Sequence, residues 1–267
     1  MPGSIIPFPD ATAVREEILA LQEELVTLYT ERDTLVSTVC PNIESRYMLV
    51  LGALEFRVYQ AYVRFLRTRR KYELMQAQVN RQEAIRLNDI ESRLEQEFAS
   101  YRAELEERMG RMNEALRRHQ AKELSEAESA EHKRLYRSIV KRLHPDLNPQ
   151  LTAAERGLFE RAVTAYGDGD LDSLRIIHAM LTDLPSTLET AGWESVLSER
   201  ERLQRLIALV QNEIETIKSS WPYTMLELLE DSGQLARKRT ELEDMLEYYV
   251  SVTANYEARI ETLLGAK

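Results

Sequence analysis

The chain has 267 residues, of which 30% are charged and 43% are hydrophobic, and its formal net charge is −10. Only 9 glycines and 8 prolines interrupt it, and such a composition favours long helices over sheets. The negative charge argues against a general nucleic-acid binder. One cysteine excludes an internal disulfide framework, and the four histidines lack the paired spacing of a metal site. We therefore expect an all-α protein without a metal site.

Neither secretion nor membrane insertion is expected. Residues 1–10 contain three prolines, which predicts an extended lead. They lack the basic start and long apolar core of a signal peptide. No apolar run approaches the roughly 20 residues that a membrane-spanning helix needs. These features predict a soluble, cytoplasmic protein with no membrane partner.

Heptad patterns predict a coiled-coil arm over residues 11–125. Apolar side chains recur by three and four from Ile18 onward, which is the spacing of a coiled-coil seam. Because proline disrupts helices, Cys40-Pro41-Asn42 predicts a break, with a second helix from near Ile43. Farther on the apolar pattern thins among many charges. The residues before Glu131 are then expected to form one long, solvent-exposed helix.

A helical hairpin is predicted in the middle of the chain, within residues 126–185. Its first helix has an apolar stripe on one face and basic residues on another. Pro145 should end this helix, because the residue before a proline avoids helical angles. His144 is thereby placed at or just past the last turn.

Local signals also predict the elements that follow the loop. Thr152 and Glu155 fit a capping box at the start of a second helix. Gly167 is expected to end that helix as a left-handed cap. Asp170 is expected to cap a further helix, and Pro185 to end this region.

A second coiled-coil arm is predicted over residues 186–267. Heptad positions recur up to Ile217, break at Ser220-Trp221-Pro222-Tyr223 and recur again from Leu235. The simplest arrangement of both arms is a long antiparallel coiled coil or helical bundle. The small hairpin would then lie at the far end of the bundle, where the chain turns back.

The hairpin carries an ordered set of short motifs. Its first helix and loop contain Tyr136-Arg137-Ser138-Ile139, Lys141-Arg142, His144-Pro145-Asp146 and Leu147-Asn148-Pro149, and its second helix contains Phe159, Ala162-Val163 and Ala165-Tyr166. This order resembles helices II and III of a J domain, the co-chaperone module of the DnaJ family. The family's short first helix is missing or replaced. We therefore expect a J-like unit embedded in a coiled coil.

The resemblance implies a co-chaperone or adaptor that recruits and stimulates a DnaK-type chaperone ATPase. It assigns triggering of that ATPase to His144, Pro145 and Asp146. The residues that it assigns to docking are Lys133, Arg134, Arg137, Lys141 and Arg142. The protein itself is expected to be no enzyme and to need no cofactor. Its coiled-coil arms would bind a client or partner protein, or associate into a homo-oligomer.

Two alternatives stay open. In the first, the chain is a structural coiled-coil scaffold whose degenerate hairpin only shapes a loop, with Asp146 capping nearby amides or pairing with Arg142. In the second, a basic run from Arg57 to Lys71 binds nucleic acid. The cations singled out in this run are Arg57, Arg64, Arg67, Arg69, Arg70 and Lys71. The favoured interpretation is ion pairing with acidic residues of the C-terminal arm, such as Glu241, Glu243, Asp244 and Glu247.

Overall fold

The computed structural model describes residues 11–120, 124–181 and 193–265, and within these ranges the regular structure is helical with no β-strand. The predicted all-α class is confirmed for this part of the chain. The predictions for residues 1–10 and for Pro185 fall outside it. None of the described helices is long and apolar enough to cross a membrane.

The helices are numbered in chain order. They are α1 (Ala11–Thr34), a π-helical turn (Leu35–Val39), α2 (Cys40–Tyr47), a second π-helical turn (Met48–Gly52), α3 (Ala53–Asn80), α4 (Leu87–Glu97), α5 (Ala99–Gln120), α6 (Glu126–Leu143), α7 (Ala153–Asp168), α8 (Leu171–Leu181), α9 (Trp193–Lys218), a short 3₁₀ turn (Tyr223–Met225), α10 (Leu226–Glu230) and α11 (Ser232–Gly265). The chain divides into two compact units, residues 1–41 with 122–224 and residues 42–121 with 225–267. Each unit combines segments that are distant in sequence.

The backbone stays helical through Pro41, so the predicted break at Cys40-Pro41-Asn42 and the start near Ile43 are wrong. The first π-helical turn ends at Val39, two residues before this proline, and the Cys40 N–H donates to the Leu35 carbonyl. The wider turn shifts the hydrogen-bond register by one residue. A proline that has no N–H to donate is therefore accommodated without ending the helix.

The prediction of one long helix running up to Glu131 is also wrong. Helix α3 ends at Asn80, and Gln82 adopts a left-handed φ of 59°, a conformation that helices do not continue. Helices α4 and α5 then return along α3, where Arg67 pairs with Glu91 of α4 at 2.7 Å and the Tyr59 hydroxyl donates to the Glu104 carboxylate of α5. Farther back along the chain, the Ser45 hydroxyl of α2 donates to the Ala115 carbonyl at 2.9 Å. Within the N-terminal arm the pairing is thus antiparallel.

The N-terminal and C-terminal arms pair in parallel, which corrects the predicted antiparallel association. In the unit that contains α1 and α9, Glu17 pairs with Arg200 at 3.4 Å and Glu31 pairs with Lys218 at 2.8 Å. The residue numbers of the partners increase in the same direction along both helices, so the helices are parallel. Heptad spacing specifies that two helices pair but not their relative direction, so the antiparallel expectation had no support in the sequence pattern.

The second unit repeats this parallel pairing between α3 and α11. Arg64 pairs with Glu257 at 2.8 Å, and the Tyr72 ring meets the Tyr256 ring edge-on at 5.7 Å. Within this unit the chain reverses between α3 and α4. The predicted break after Ile217 is confirmed, because α9 ends at Lys218.

One hydrophobic core joins the hairpin to the helices around it. It takes fully buried side chains from α1, α6, α8 and α9, for example Leu25, Ile139, Leu174 and Leu203. Burial of each such side chain is worth about 1.5–3 kcal/mol relative to exposure. The hairpin is therefore packed into this unit by its apolar faces.

The caps of α7 and α8 show which local predictions hold. Thr152 and Glu155 form the expected capping box, and the Asp170 carboxylate accepts from the Ser173 N–H at 3.0 Å. The left-handed residue after α7 is Gly169, with φ of 71°, and not Gly167. Helix α7 runs two residues farther than the glycine signal indicated.

We expect Gly169→Ala to lower the free energy of unfolding by about 1 kcal/mol, because an alanine side chain disfavours the left-handed conformation. Gly167→Ala is the matched control. It lies inside the helix, where its added carbon would meet the Ser37 Cβ at an ordinary 3.6 Å, so it should be neutral or stabilising. Urea denaturation of both variants measures the difference. Equal losses of stability would contradict the placement of the cap.

Candidate functional site

The first helix of the hairpin is defined by strong signals at both ends. Ser125 and Glu128 form a capping box at its start, a signal that the sequence analysis missed. The residue after α6, His144, has an extended ψ of 125°, as expected before Pro145. The Asn148 side chain donates to the Lys141 carbonyl at 3.2 Å and so satisfies part of the helix end.

The loop after α6 is held around the His144 ring. This residue is only 6% exposed. Its Nδ1 accepts from the Asp146 N–H at 3.2 Å, and its carbonyl accepts from the Leu147 and Asn148 N–H groups. Phe159 of α7 meets the ring edge-on at 5.1 Å. The His144-Pro145-Asp146 segment is therefore a folded part of the hairpin.

Helix α1 supplies the other wall of this site. The Tyr29 ring stacks on the His144 ring with centroids 3.6 Å apart, and the Tyr29 hydroxyl donates to the Asp146 carboxylate. One turn later, Asp33 accepts from the Tyr136 hydroxyl at 2.5 Å. Helix α1 thus lies against the hairpin where no separate first helix was recognised in the sequence.

Tyr29 was not predicted as a site residue, because the sequence of α1 was interpreted only as a heptad helix. A usable signal was present. Tyr29 is the one aromatic residue in the sequence of α1, and Asp33 follows it one turn later. This pair puts an aromatic ring and a carboxylate on the same helix face.

Burial determines the protonation state of the site. Desolvation lowers the pKa of His144 to about 4, although the negative charge of Asp146 opposes the shift. The imidazole is therefore neutral at pH 7. Its 4.0 Å separation from the Asp146 carboxylate is then no ion pair. Burial likewise raises the pKa of the Tyr29 phenol, so its hydroxyl keeps the proton that it donates.

The basic residues of α6 divide into two groups. Arg137 and Lys141 both contact Glu23 of α1, at 2.6 Å and 2.9 Å, and these cations lower the pKa of the Glu23 carboxyl. Lys133 and Arg134 are exposed.

Two further contacts occupy the loop and the end of α6. Arg142 donates to the Leu181 carbonyl, so the suggested pairing of Arg142 with Asp146 is not observed. Arg202 of α9 donates to the Asp146 carbonyl at 2.7 Å. Pro145 remains exposed at the tip. The docking residues implied by the resemblance thus lie on one connected surface, but several of them already have internal partners.

The basic run of α3 is largely engaged in ion pairs. The observed pairs are Arg64 with Glu257, Arg67 with Glu91 and Glu95, Arg69 with Glu73, Arg70 with Glu73 and Glu97, and Lys71 with Glu91. Arg57 is exposed. The expected pairing with the C-terminal arm is confirmed for Arg64 and Glu257, whereas two of the acids named as examples have other partners: Glu241 pairs with Lys238 and Glu243 with Arg239. Most partners come from α3 and α4, since the chain reversal brings α4 beside the run.

No metal centre is formed by the described residues, among which no group of three His, Cys, Asp or Glu side chains could hold an ion. The single thiol, Cys40, is buried, and burial raises its pKa. Comparison with models of known families, with curated proteins and with solved structures finds no match to this chain.

The buried imidazole should make stability fall as the pH drops. In the unfolded chain the pKa of His144 is near 6.5, and in the folded chain it is about 4, so the unfolded state binds more protons between these values. Protonation at Nδ1 would also break the hydrogen bond from the Asp146 N–H. From pH 7 to pH 5 we expect this one group to remove about 2 kcal/mol of folding stability.

The measurement is urea denaturation of the wild type and of His144→Gln at both pH values. The variant cannot titrate at this position, so its free energy of unfolding should fall by about 2 kcal/mol less. His132 is also buried with a lowered pKa, but it is present in both proteins and cancels in the comparison. If the free energy of unfolding fell equally in both proteins from pH 7 to pH 5, the His144 ring would be accessible to solvent in the folded state.

Proposed function

We propose that this chain is a J-domain-like co-chaperone or adaptor that docks on a DnaK-type chaperone ATPase. The basic face of α6 and the loop at His144-Pro145-Asp146 would form the docking surface. The observation that carries this proposal is the completion of the hairpin by α1. A third helix gives the loop a fixed conformation, with Pro145 exposed at its tip.

Charge supports the same assignment. Lys133 and Arg134 are exposed on α6, while the chain as a whole carries a net charge of −10. A local cationic face on an acidic protein orients an encounter with an acidic partner surface and repels other approaches. Docking through α6 therefore suits a partner whose complementary face is acidic.

The mechanism needs no chemistry from this chain. In this proposal the loop binds the hydrolysis-competent state of the ATPase more tightly than the other state, and the partner's equilibrium shifts accordingly. The buried, neutral imidazole of His144 would act by shape and position, not by proton transfer. Its pKa, lowered to about 4, makes it a poor base near neutral pH.

The coiled-coil arms would bind a client or partner protein, or a second copy of the chain, in the cytoplasm. Helix α11 offers exposed apolar side chains, with Tyr248 60% and Val250 56% exposed. Exposed apolar surface on a helix is typical of a contact with another protein.

A second candidate function is a structural scaffold, and one observation favours it. Tyr29 contacts both His144 and Asp146, so the two side chains central to the J-like motif are used inside the fold. In a scaffold this contact would only hold α1 to the hairpin. The basic run of α3 favours a structural role in the same way, because its ion pairs compete with phosphate binding.

The deciding experiment is steady-state ATP hydrolysis by a DnaK-type chaperone from the same organism. We expect the wild type to stimulate hydrolysis and His144→Gln to lose roughly 30-fold in potency, because the substitution changes the conformation of the loop at the centre of the docking surface. Arg134→Glu should weaken stimulation as well, whereas Arg161→Glu, an exposed arginine on α7, is the control. If a well-folded wild-type protein does not stimulate hydrolysis, the co-chaperone proposal is overturned and the structural scaffold is favoured.

A double-mutant cycle measures the structural side of the same site. Tyr29→Phe and Asp146→Ala each remove the hydrogen bond between these residues, and we expect a coupling of about 1 kcal/mol in urea denaturation. This coupling energy is set below that of a buried hydrogen bond to a charged group, because the Asp146 side chain is 47% exposed. Additive losses would mean that the hydroxyl contact does not help to hold α1 to the loop.

A further inference from the structure

We propose that Glu23 of α1 is a built-in competitor for the docking surface, so that an acidic partner must displace its carboxylate from α6. This inference rests on the proposed function, since it concerns the same basic face. It adds a regulatory contact that the J-like motif does not imply. The competitor is a single residue more than a hundred positions before the helix that it covers.

The geometry of this contact is that of a bound acidic ligand. The two oxygens of Glu23 are divided between two cations, with Oε1 2.6 Å from Arg137 and Oε2 2.9 Å from Lys141. These cations lie four positions apart on α6 and therefore on the same face. Two of the five basic residues assigned to docking share one carboxylate, which offsets one of their two positive charges.

The contact can open without unfolding the unit. The side chains of Glu23 and Lys141 are 47% and 63% exposed, so the ion pair is hydrated and contributes little to stability. Tyr29, on the same helix, is only 1% exposed and packs in the core. We infer that the Glu23 carboxylate exchanges with a partner's carboxylate while α1 stays in place.

Competition of this kind sets a threshold for binding. A partner with one exposed carboxylate gains little, because it only replaces the carboxylate already present. A dense acidic surface can contact Arg137 and Lys141 together with the exposed Lys133 and Arg134, and so gains more than it displaces. The contact would therefore favour strongly acidic partners over weakly acidic ones.

The experiment uses the full chain and a fluorescein-labelled polyglutamate peptide at low ionic strength, with anisotropy as the readout. Removing the competing charge in Glu23→Gln should tighten peptide binding by about threefold to tenfold, as expected for release of two exposed ion pairs. Glu24→Gln is the matched control. It makes the same change of charge at the next position of α1, where the side chain is exposed.

The gain should disappear when Arg137→Ala and Lys141→Ala are added to Glu23→Gln, because the released cations are then absent. If Glu23→Gln binds no better than Glu24→Gln, the inference is overturned. The result is independent of the ATPase assay. If Glu23→Gln binds the peptide more tightly but no variant stimulates the ATPase, the proposed function is overturned. The competition of Glu23 for Arg137 and Lys141 would still stand.

Discussion

The stacking of Tyr29 on His144 is the contact on which the hairpin and its loop depend. One side chain of α1 covers an imidazole with its ring and holds a carboxylate with its hydroxyl. The imidazole is desolvated by this cover and stays neutral. A neutral ring can accept from the Asp146 N–H, and this hydrogen bond shapes the loop. Without α1 the His144 imidazole would be open to solvent, and the loop would lose the contacts that fix its conformation.

The candidate site has a rigid, buried centre and an exposed edge whose ion pairs can exchange partners. His144 lies in the centre, where the stacked Tyr29 ring, the edge-on Phe159 ring and burial hold it in one position. Arg137 and Lys141 lie at the edge, where their ion pairs with Glu23 are exposed to solvent and screened by salt. A partner would therefore meet a rigid loop surrounded by charges that can change partners. Such an arrangement combines a defined shape with adjustable affinity.

Several signals that act within one or two helical turns were predictable from the sequence, although the capping box at Ser125 was not predicted and the left-handed cap was placed at Gly167 instead of Gly169. The capping box at Thr152, the cap at Asp170 and the end of α6 at Pro145 all depend on neighbouring residues. These signals placed the hairpin, and with it the loop that forms the centre of the candidate site. Their range is the range of a side chain's contact with its own backbone.

Features that depend on distant partners were not predictable in the same way. Pro41 was expected to break a helix, but a π-helical turn absorbs it. Gln82 carries no glycine or proline signal for the turn that reverses the chain. Heptads specify that helices pair but not in which direction, because the apolar spacing is the same for both orientations. The role of Tyr29 depends on a contact across 117 positions of sequence with Asp146.

The parallel pairing of α1 with α9 has a consequence for how the protein is made. Glu17 and its partner Arg200 are 183 positions apart, so a ribosome synthesises the first helix long before the second. In the meantime the apolar seam of α1 lacks the helix that covers it. Contacts of such long range slow folding and leave apolar surface open to wrong partners. For a protein proposed to serve a chaperone, the nascent chain is itself a substrate of the kind that chaperones bind.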